Sequence, residues 1–186
     1  MTLAREGLTL EAFLALPEEK PALEYIDGTV RQKVAPRPAH SALQARFTIY
    51  LGSRLEPTKL ARVFPELRTT YSGASRVPDV AVYLWERVPR DAARRLADQA
   101  LTPPDLAIEI LSPGQSTRHL VNTCQWFVEQ GARVALFVHP RNQSVRVFRP
   151  NSPVSVYRRG DRISLDEIAP GLELDLDEIF SALDPD

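Results

Sequence analysis

Two strand-like runs of apolar residues, each interrupted by an acid, constrain the fold of this chain more than any other feature. In the first run, VPDVAVYLW, the acid is Asp79. In the second, PDLAIEILSPG, the acid among the apolar residues is Glu109. A carboxylate in an apolar strand is costly unless another group pairs with it or coordinates it. The two runs therefore predict buried strands in which each acid has a partner.

Side chains alternate between the two faces of a strand, so each run separates into two sets. One set is purely aliphatic and predicts core packing: Val80, Val82 and Leu84 in the first run, and Leu106, Ile108 and Ile110 in the second. The other set carries the acid with an alanine two positions away, which leaves room for a ligand. If the strands pair antiparallel, Asp79 lies close to Glu109, although sequence alone leaves the register open.

Two neighbouring carboxylates repel each other, so one must hold a proton or both must hold a cation. Oxygen ligands favour a hard divalent cation, Mg²⁺ or Mn²⁺. Taken separately, each acid has a simpler explanation: Asp79 begins a strand after Pro78, and Glu109 pairs with an arginine. Taken together, on two neighbouring strands, they indicate a metal site.

The remaining patterns predict one α/β domain over residues 1–186, with a mixed sheet flanked by helices. Helices are predicted over Thr9–Leu16, the segment PAHSALQARFTIYLGSRLE, Ser116–Gln130 and Leu174–Leu183. Alternating runs around Asp27-Gly28 predict a hairpin. Further strands are predicted in ARVFPELRTTY, ARVALFVHP, SVRVFRP and SPVSVYRRG.

The composition is that of an ordinary globular protein, with 44% hydrophobic and 25% charged residues. No apolar run reaches about 18 residues, so we expect no transmembrane helix. The N-terminus lacks the apolar stretch of a secretory signal. The single cysteine, Cys124, cannot form an internal disulfide, which points to the reducing cytoplasm.

Charge is distributed unevenly along the chain, although the formal net charge is −1. Residues 165–186 contain eight acids and no base, so residues 1–164 carry seven more basic than acidic residues. Such a distribution suits a polyanionic ligand such as nucleic acid, or simply a solvated surface. The candidate phosphate contacts lie between the two apolar runs that carry Asp79 and Glu109: Arg87, Arg90, Arg94 and Arg95. The alternative is that their segment is simply a solvated loop.

Several motifs follow one another in a characteristic order: LEYIDGTV, a histidine that opens the first long helix (His40), RVPDVAV, PPDLAIEILSPG, a helix ending in GA and a strand ending in HP. Their order and spacing over about Leu8 to Phe148 resemble the PD-(D/E)XK nuclease superfamily. They resemble more closely a large bacterial family of restriction-endonuclease-like proteins. The resemblance implies a restriction-endonuclease-like core and a metal-dependent endonuclease that hydrolyses phosphodiester bonds of DNA.

The resemblance also implies the site residues. Asp79, Glu109 and the backbone carbonyl of Ile110 would ligate Mg²⁺ or Mn²⁺, and the metal would activate water and neutralise charge on the scissile phosphate. Glu24 and His40 stand where the family carries an acid and a histidine, so both are candidate accessory residues. His40 would orient a water or contact phosphate, and a local hydrogen bond in the first turn of its helix explains it equally well.

The usual lysine of the superfamily is missing from both places where it is expected. Two residues after Glu109 the chain has Leu111. In the helix, eight residues before Gly131, it has Thr123, with His119 at the companion acid position. The three lysines all precede the first acidic run: Lys20, Lys33 and Lys59.

Three explanations of the missing lysine stay open. Gln115 or Arg118, near the start of the helix, substitutes for it, or the metal and the carboxylates act alone. In the third, the site has decayed and the protein is a non-enzymatic nucleic-acid or protein binding module on the same fold. Independently, the last strands, SVRVFRP and SPVSVYRRG, are candidates for self-association into a homodimer.

Overall fold

The computed structural model describes residues 5–184. Its strands are β1 (Arg5–Glu6), β2 (Leu23–Ile26), β3 (Thr29–Gln32), β4 (Ala61–Pro65), β5 (Thr69–Tyr71), β6 (Ala74–Arg76), β7 (Val80–Leu84), β8 (Leu106–Ile110), β9 (Val134–His139), β10 (Ser144–Phe148), β11 (Ser155–Arg158), β12 (Arg162–Ser164) and β13 (Glu173–Asp175). Its helices are α1 (Leu10–Leu14), α2 (Pro38–Leu55), α3 (Thr117–Glu129) and α4 (Leu176–Phe180), followed by a 3₁₀ helix, Ser181–Leu183. None of the helices in this part of the chain is long and apolar enough to span a bilayer.

A six-stranded mixed sheet forms the centre of the fold. Its strand order is β11-β10-β9-β8-β7-β4, with β8 and β9 parallel and the other neighbouring pairs antiparallel. A second sheet is antiparallel throughout, with the order β1-β3-β2-β6-β5. Strands β12 and β13 form a small sheet near the C-terminus.

Helices α2 and α3 cover opposite faces of the six-stranded sheet. Residues of α2 pack with the aliphatic set predicted to be core: Val80, Val82, Leu106, Ile108 and Ile110. Residues of α3 pack against the alternate positions of the sheet: Ala107, Ala135 and Phe137. The predicted mixed sheet flanked by helices is therefore confirmed, because alternate residues of the same strands face the two helices.

Local signals set most element boundaries. The β2–β3 hairpin turns at Asp27-Gly28, where both residues have positive φ, 48° and 76°. This is the conformation of a two-residue type I′ loop. Thr9 caps α1 through Ala12 N at 3.1 Å, and Ser116 caps α3 through His119 N at 3.3 Å.

The prediction of one helix over Leu174–Leu183 is wrong at its start. The Asp175 side chain accepts hydrogen bonds from Asp177 N and Glu178 N, so α4 begins only after it. The residues before this cap pair with β12 as a strand. Likewise ARVFPELRTTY is divided into β4 and β5 around Glu66, whose φ is 48°.

Candidate active site

The two acids lie side by side where β7 begins and β8 ends. The two strands pair antiparallel, which the sequence left open, with Val80 opposite Ile108. The same register, continued by one residue, sets Asp79 opposite Glu109. Both side chains are buried, with 2% and 5% of their surfaces exposed.

Asp79 is engaged by donors from three separate elements. Its Oδ1 accepts a hydrogen bond from Lys33 Nζ at 2.6 Å. Its Oδ2 accepts one from Ile110 N at 2.7 Å and lies 3.0 Å from His40 Nε2. Burial alone would raise the pKa of Asp79, but Lys33 and His40 hold it below its ordinary value. The Asp79 carboxylate is therefore ionised.

Glu109 has the opposite environment. Its Oε1 is buried and has no hydrogen-bond partner within residues 7–184. Burial raises its pKa well above the ordinary value, and the nearby Asp79 and Glu24 add to this, against Lys33 and Arg76. Without a cation, the ionised form of this side chain is therefore less stable than that of an exposed glutamate.

Lys33, directly after β3, places an ammonium at the acid pair. Its Nζ donates to Val77 O and to Asp79 Oδ1, each at 2.6 Å. Burial alone would lower the pKa of Lys33, but Asp79, Glu109 and Glu24 together raise it above the ordinary value. The ammonium therefore stays charged.

Sequence reasoning missed Lys33, and the reason lies in the topology. Leu111 and Thr123 do leave the two expected positions without a lysine, but a lysine 46 residues before Asp79 reaches the same place. It belongs to the second sheet, whose contact with the first no local pattern predicts. The one available signal was its place in the chain between Glu24 and His40.

Glu24 and His40, the predicted accessory residues, both lie at the site. Glu24 is buried on β2, and its Oε1 accepts a hydrogen bond from Val77 N at 2.8 Å. His40 is buried in the first turn of α2 and contacts Asp79 rather than its own helix. Within residues 7–184 its Nδ1 has no partner. Both side chains thus hold the segment Val77–Asp79 in place.

Gln115 lines three cavities, two of which contain an acid of the pair. One, of about 480 Å³, holds Lys33, His40 and Asp79. A second, of about 460 Å³, holds Glu109 with Lys33 and Glu24. The third, of about 860 Å³, is mostly apolar and begins at His40. Arg118, the other predicted substitute for the lysine, is exposed on α3 and lines none of the three.

The structure does not bring the predicted phosphate contacts to the acids. The four arginines follow the far end of β7, which is about 17 Å long, whereas Asp79 precedes its start. Arg87 pairs with the buried Asp105, and Arg90 donates to Trp85 O at 2.7 Å. Arg95 pairs with Asp91, and Arg94 is exposed. Their contact with nucleic acid stays a prediction.

The oxygen atoms at the acid pair could act as ligands of a hard divalent cation. Glu109 Oε1 is buried without a partner, and Asp79 Oδ1 has Lys33 as its donor, which leaves one lone pair. The N–H of Ile110 points to Asp79. Because the N–H and C=O of a strand residue point to the same side of the strand, the Ile110 carbonyl also lies on the Asp79 side. Within the described residues no group of three or more His, Cys, Asp or Glu side chains could hold a metal. The set therefore suits Mg²⁺ or Mn²⁺ with retained waters rather than a closed structural site.

Comparison with known proteins gives matches at both the sequence and the structure level. A model of the Uma2 family, described as "Putative restriction endonuclease", matches residues 10–177. The crystal structure of a putative nuclease belonging to DUF820 from Anabaena variabilis ATCC 29413 has a TM-score of 0.91 and 36% sequence identity, covering 95% of this chain and 99% of that one. A DrdV–DNA complex matches at a TM-score of 0.41 and 14% identity over 65% of this chain and 10% of that one, too weakly to inform function. No curated protein matches the sequence.

Proposed function

Because the chain belongs to the Uma2 family of restriction-endonuclease-like proteins, we propose that it is a metal-dependent nuclease that hydrolyses phosphodiester bonds of DNA. DNA as the substrate rests on the family's description and on the basic excess of residues 1–164. The single cysteine, buried in α3, suits action in the cytoplasm.

One observation carries the proposal: an ionised Asp79, the Lys33 ammonium and a buried Glu109, whose Oε1 has no hydrogen-bond partner within residues 7–184, lie together beside one cavity. A fold that needed only stability would gain by replacing such a cluster with apolar side chains. Groups with pKa values pushed in opposite directions, beside a cavity, are typical of functional sites.

Asp79, Glu109 and the Ile110 carbonyl would hold Mg²⁺ or Mn²⁺. When bound there, the ion would supply Lewis-acid charge beside the scissile phosphate. The cation would also satisfy Glu109 Oε1, the buried acceptor that has no partner within residues 7–184.

Lys33 would supply the positive charge that the superfamily usually takes from a lysine elsewhere. Two of its three N–H donors are used by Val77 O and Asp79 Oδ1, so the third is left for the substrate. Because the ammonium stays protonated, we assign it no role as a base. It would stabilise negative charge as it develops on a phosphate oxygen.

Three neighbours would position these groups. His40 orients the Asp79 carboxylate through Nε2, and Glu24 fixes the backbone of Val77. The Gln115 Oε1 accepts from Ser112 N at 2.7 Å, so its amide N–H groups can orient a water beside Glu109.

The competing function is a non-enzymatic binding module, favoured by the absence of lysine at Leu111 and Thr123. The placement of Lys33 argues against it, because the cluster keeps an ammonium beside its acids. We further propose a homodimer formed through the last strands of the six-stranded sheet, so that two sites act on one duplex.

Nicking of supercoiled plasmid at low salt tests the proposed function. We expect the wild-type protein to nick with Mn²⁺ or Mg²⁺ and to stop when EDTA is added. An Asp79→Asn/Glu109→Gln double variant, purified identically, should lose at least about 100-fold in rate.

Wild-type protein that is folded but inactive with either metal would contradict the proposal and favour the binding module. Equal nicking by the double variant would point to a contaminating nuclease and contradict it as well.

A further inference from the structure

A further cleft adjoins the cavity that holds Glu109, beside α3. It lies between the β2–β3 hairpin and α3, has a volume of about 470 Å³ and is lined by Arg31, Arg76, His119, Thr123 and Trp126, among others. Arg31, His119 and Thr123 also line the cavity that holds Glu109. The two cavities therefore lie next to each other along α3, and the second one contains an acid of the pair.

Arg76, the last residue of β6, is the buried cation of this cleft. It exposes 5% of its surface. Its guanidinium carbon lies 4.3 Å from the centre of the Trp126 ring, and Trp126 is stacked on Tyr71 with 5.2 Å between ring centres. Its Nη1 donates to Thr123 Oγ1 at 3.2 Å. Stacking and this hydrogen bond hold the guanidinium in one orientation.

Arg76 nevertheless lacks a close anionic partner among the side chains that the structure describes. Within residues 7–184 no carboxylate oxygen lies within 4.0 Å of its nitrogen atoms, and its Nε has no hydrogen-bond partner. Glu24 and Glu109 act on it only at longer range. A buried charge without a partner is costly, so a position that retains one suits a site that receives an anion.

The cleft also contains acids, and their positions differ from that of Arg76. Asp27 lies in the hairpin turn and Glu129 at the end of α3, and both are exposed. Exposed charges are screened by salt and water, whereas a buried guanidinium is screened much less. The inner part of the cleft is therefore positive and its outer rim mixed.

We propose that this cleft is a subsite for one backbone phosphate of the nucleic-acid strand that passes the acid pair. Arg76 is its main contact, and Arg31 contributes from the rim. The inference rests on the proposed function, because it takes the strand held at Asp79 and Glu109 as its ligand. It assigns phosphate contact to the hairpin side of α3 rather than to the segment after β7.

Binding of a short fluorescein-labelled DNA duplex in EDTA, measured over a range of salt concentrations, tests the subsite without cleavage. We expect Arg76→Met to weaken binding at low salt by about tenfold. The slope of log Kd against log salt should fall by about 0.9, the value for one lost phosphate contact. Arg76→Lys should keep most of the slope.

Arg54→Met is the matched control, because it removes the same charge from an arginine that is also stacked on an aromatic ring. Arg54 lies 3.5 Å from the centre of the Tyr50 ring on α2, across the sheet from α3. Thermal denaturation of both variants checks that each is folded. The control should bind like the wild type.

The outcomes separate the subsite from the nuclease proposal. If Arg76→Met weakens binding and lowers the slope while wild-type protein fails to nick plasmid, the subsite stands and the nuclease proposal falls. If wild-type protein nicks DNA but Arg76→Met and Arg54→Met bind alike, the subsite is wrong. Absence of any DNA binding by folded wild-type protein would overturn the subsite as well.

Discussion

Asp79 and Glu109 lie opposite each other on neighbouring strands and are both buried, but the groups around the two carboxylates differ. Asp79 is held ionised by Lys33, His40 and Ile110 N. Glu109 leaves one oxygen without a donor in the described part of the chain. The ionised form is therefore stabilised at Asp79 and disfavoured at Glu109 before any cation binds.

This asymmetry predicts opposite effects of neutral substitutions in metal-free protein. Asp79 has a lowered pKa in the folded state, so it stabilises the fold above its ordinary pKa, and this contribution is lost as pH falls through the folded value. Asp79→Asn should lower the free energy of unfolding by about 3–5 kcal/mol at neutral pH.

Glu109 has a raised pKa, so it costs stability once the pH exceeds its ordinary value. Glu109→Gln should raise the free energy of unfolding by about 1–3 kcal/mol at neutral pH. The gain should shrink towards about pH 4, where the carboxyl group is protonated in both states.

Urea denaturation in EDTA, repeated between about pH 4 and pH 8, measures both effects. Destabilisation by Glu109→Gln at neutral pH would contradict the account. So would an unchanged Asp79→Asn protein.

The sequence predicted the residue set incompletely. Asp79, Glu109, Glu24, His40 and Gln115 were all named as candidates, from strand alternation, the family resemblance and position near a helix start, and the structure brings them together. Lys33 and Arg76 were not, since Lys33 lies outside both positions where a lysine was expected and no local pattern marks Arg76 as a buried cation. Motif order can be read directly from the sequence. The packing of the second sheet beside the first involves residues far apart in the chain, and no short sequence pattern predicts it.

Elements were predicted well where a local device sets the boundary. The type I′ loop at Asp27-Gly28 and the cap Ser116 are such devices. The prediction of the last helix was wrong at its start because Asp175 is both the last residue of a strand and the N-cap of the helix. The sequence did not predict which strands lie at the edges of the sheets or with which strand each of them pairs.

β11 is one of the two edge strands of the six-stranded sheet, and we expect it to form the homodimer. Val156 on this strand and Val154 just before it are 56% and 50% exposed. An exposed apolar edge strand offers unpaired backbone groups to a second copy. We predict a dimer in light scattering at micromolar concentration.

Val156→Lys should shift the protein to monomer. Ile49→Lys, a matched change at an exposed apolar residue of α2, should not. A wild-type protein that is monomeric would contradict this assignment.

At the scale of the whole molecule, the site exists because the two sheets meet. The six-stranded sheet contributes Asp79 and Glu109, and the second sheet contributes Glu24, with Lys33 directly after β3. Helix α2 adds His40. Each layer supplies a polar side chain to the cluster, so the cluster can form only in the completed fold.

The central claim is that Lys33 completes the acid pair, and its most direct test is single-turnover plasmid nicking by Lys33→Met with Mn²⁺. Lys59→Met is the matched control, since Lys59 is exposed in the turn after α2. The account predicts that Lys33→Met loses at least about 100-fold in rate while the control nicks like the wild type. If a folded Lys33→Met protein nicked plasmid at the wild-type rate, the assignment of Lys33 to the site would be contradicted.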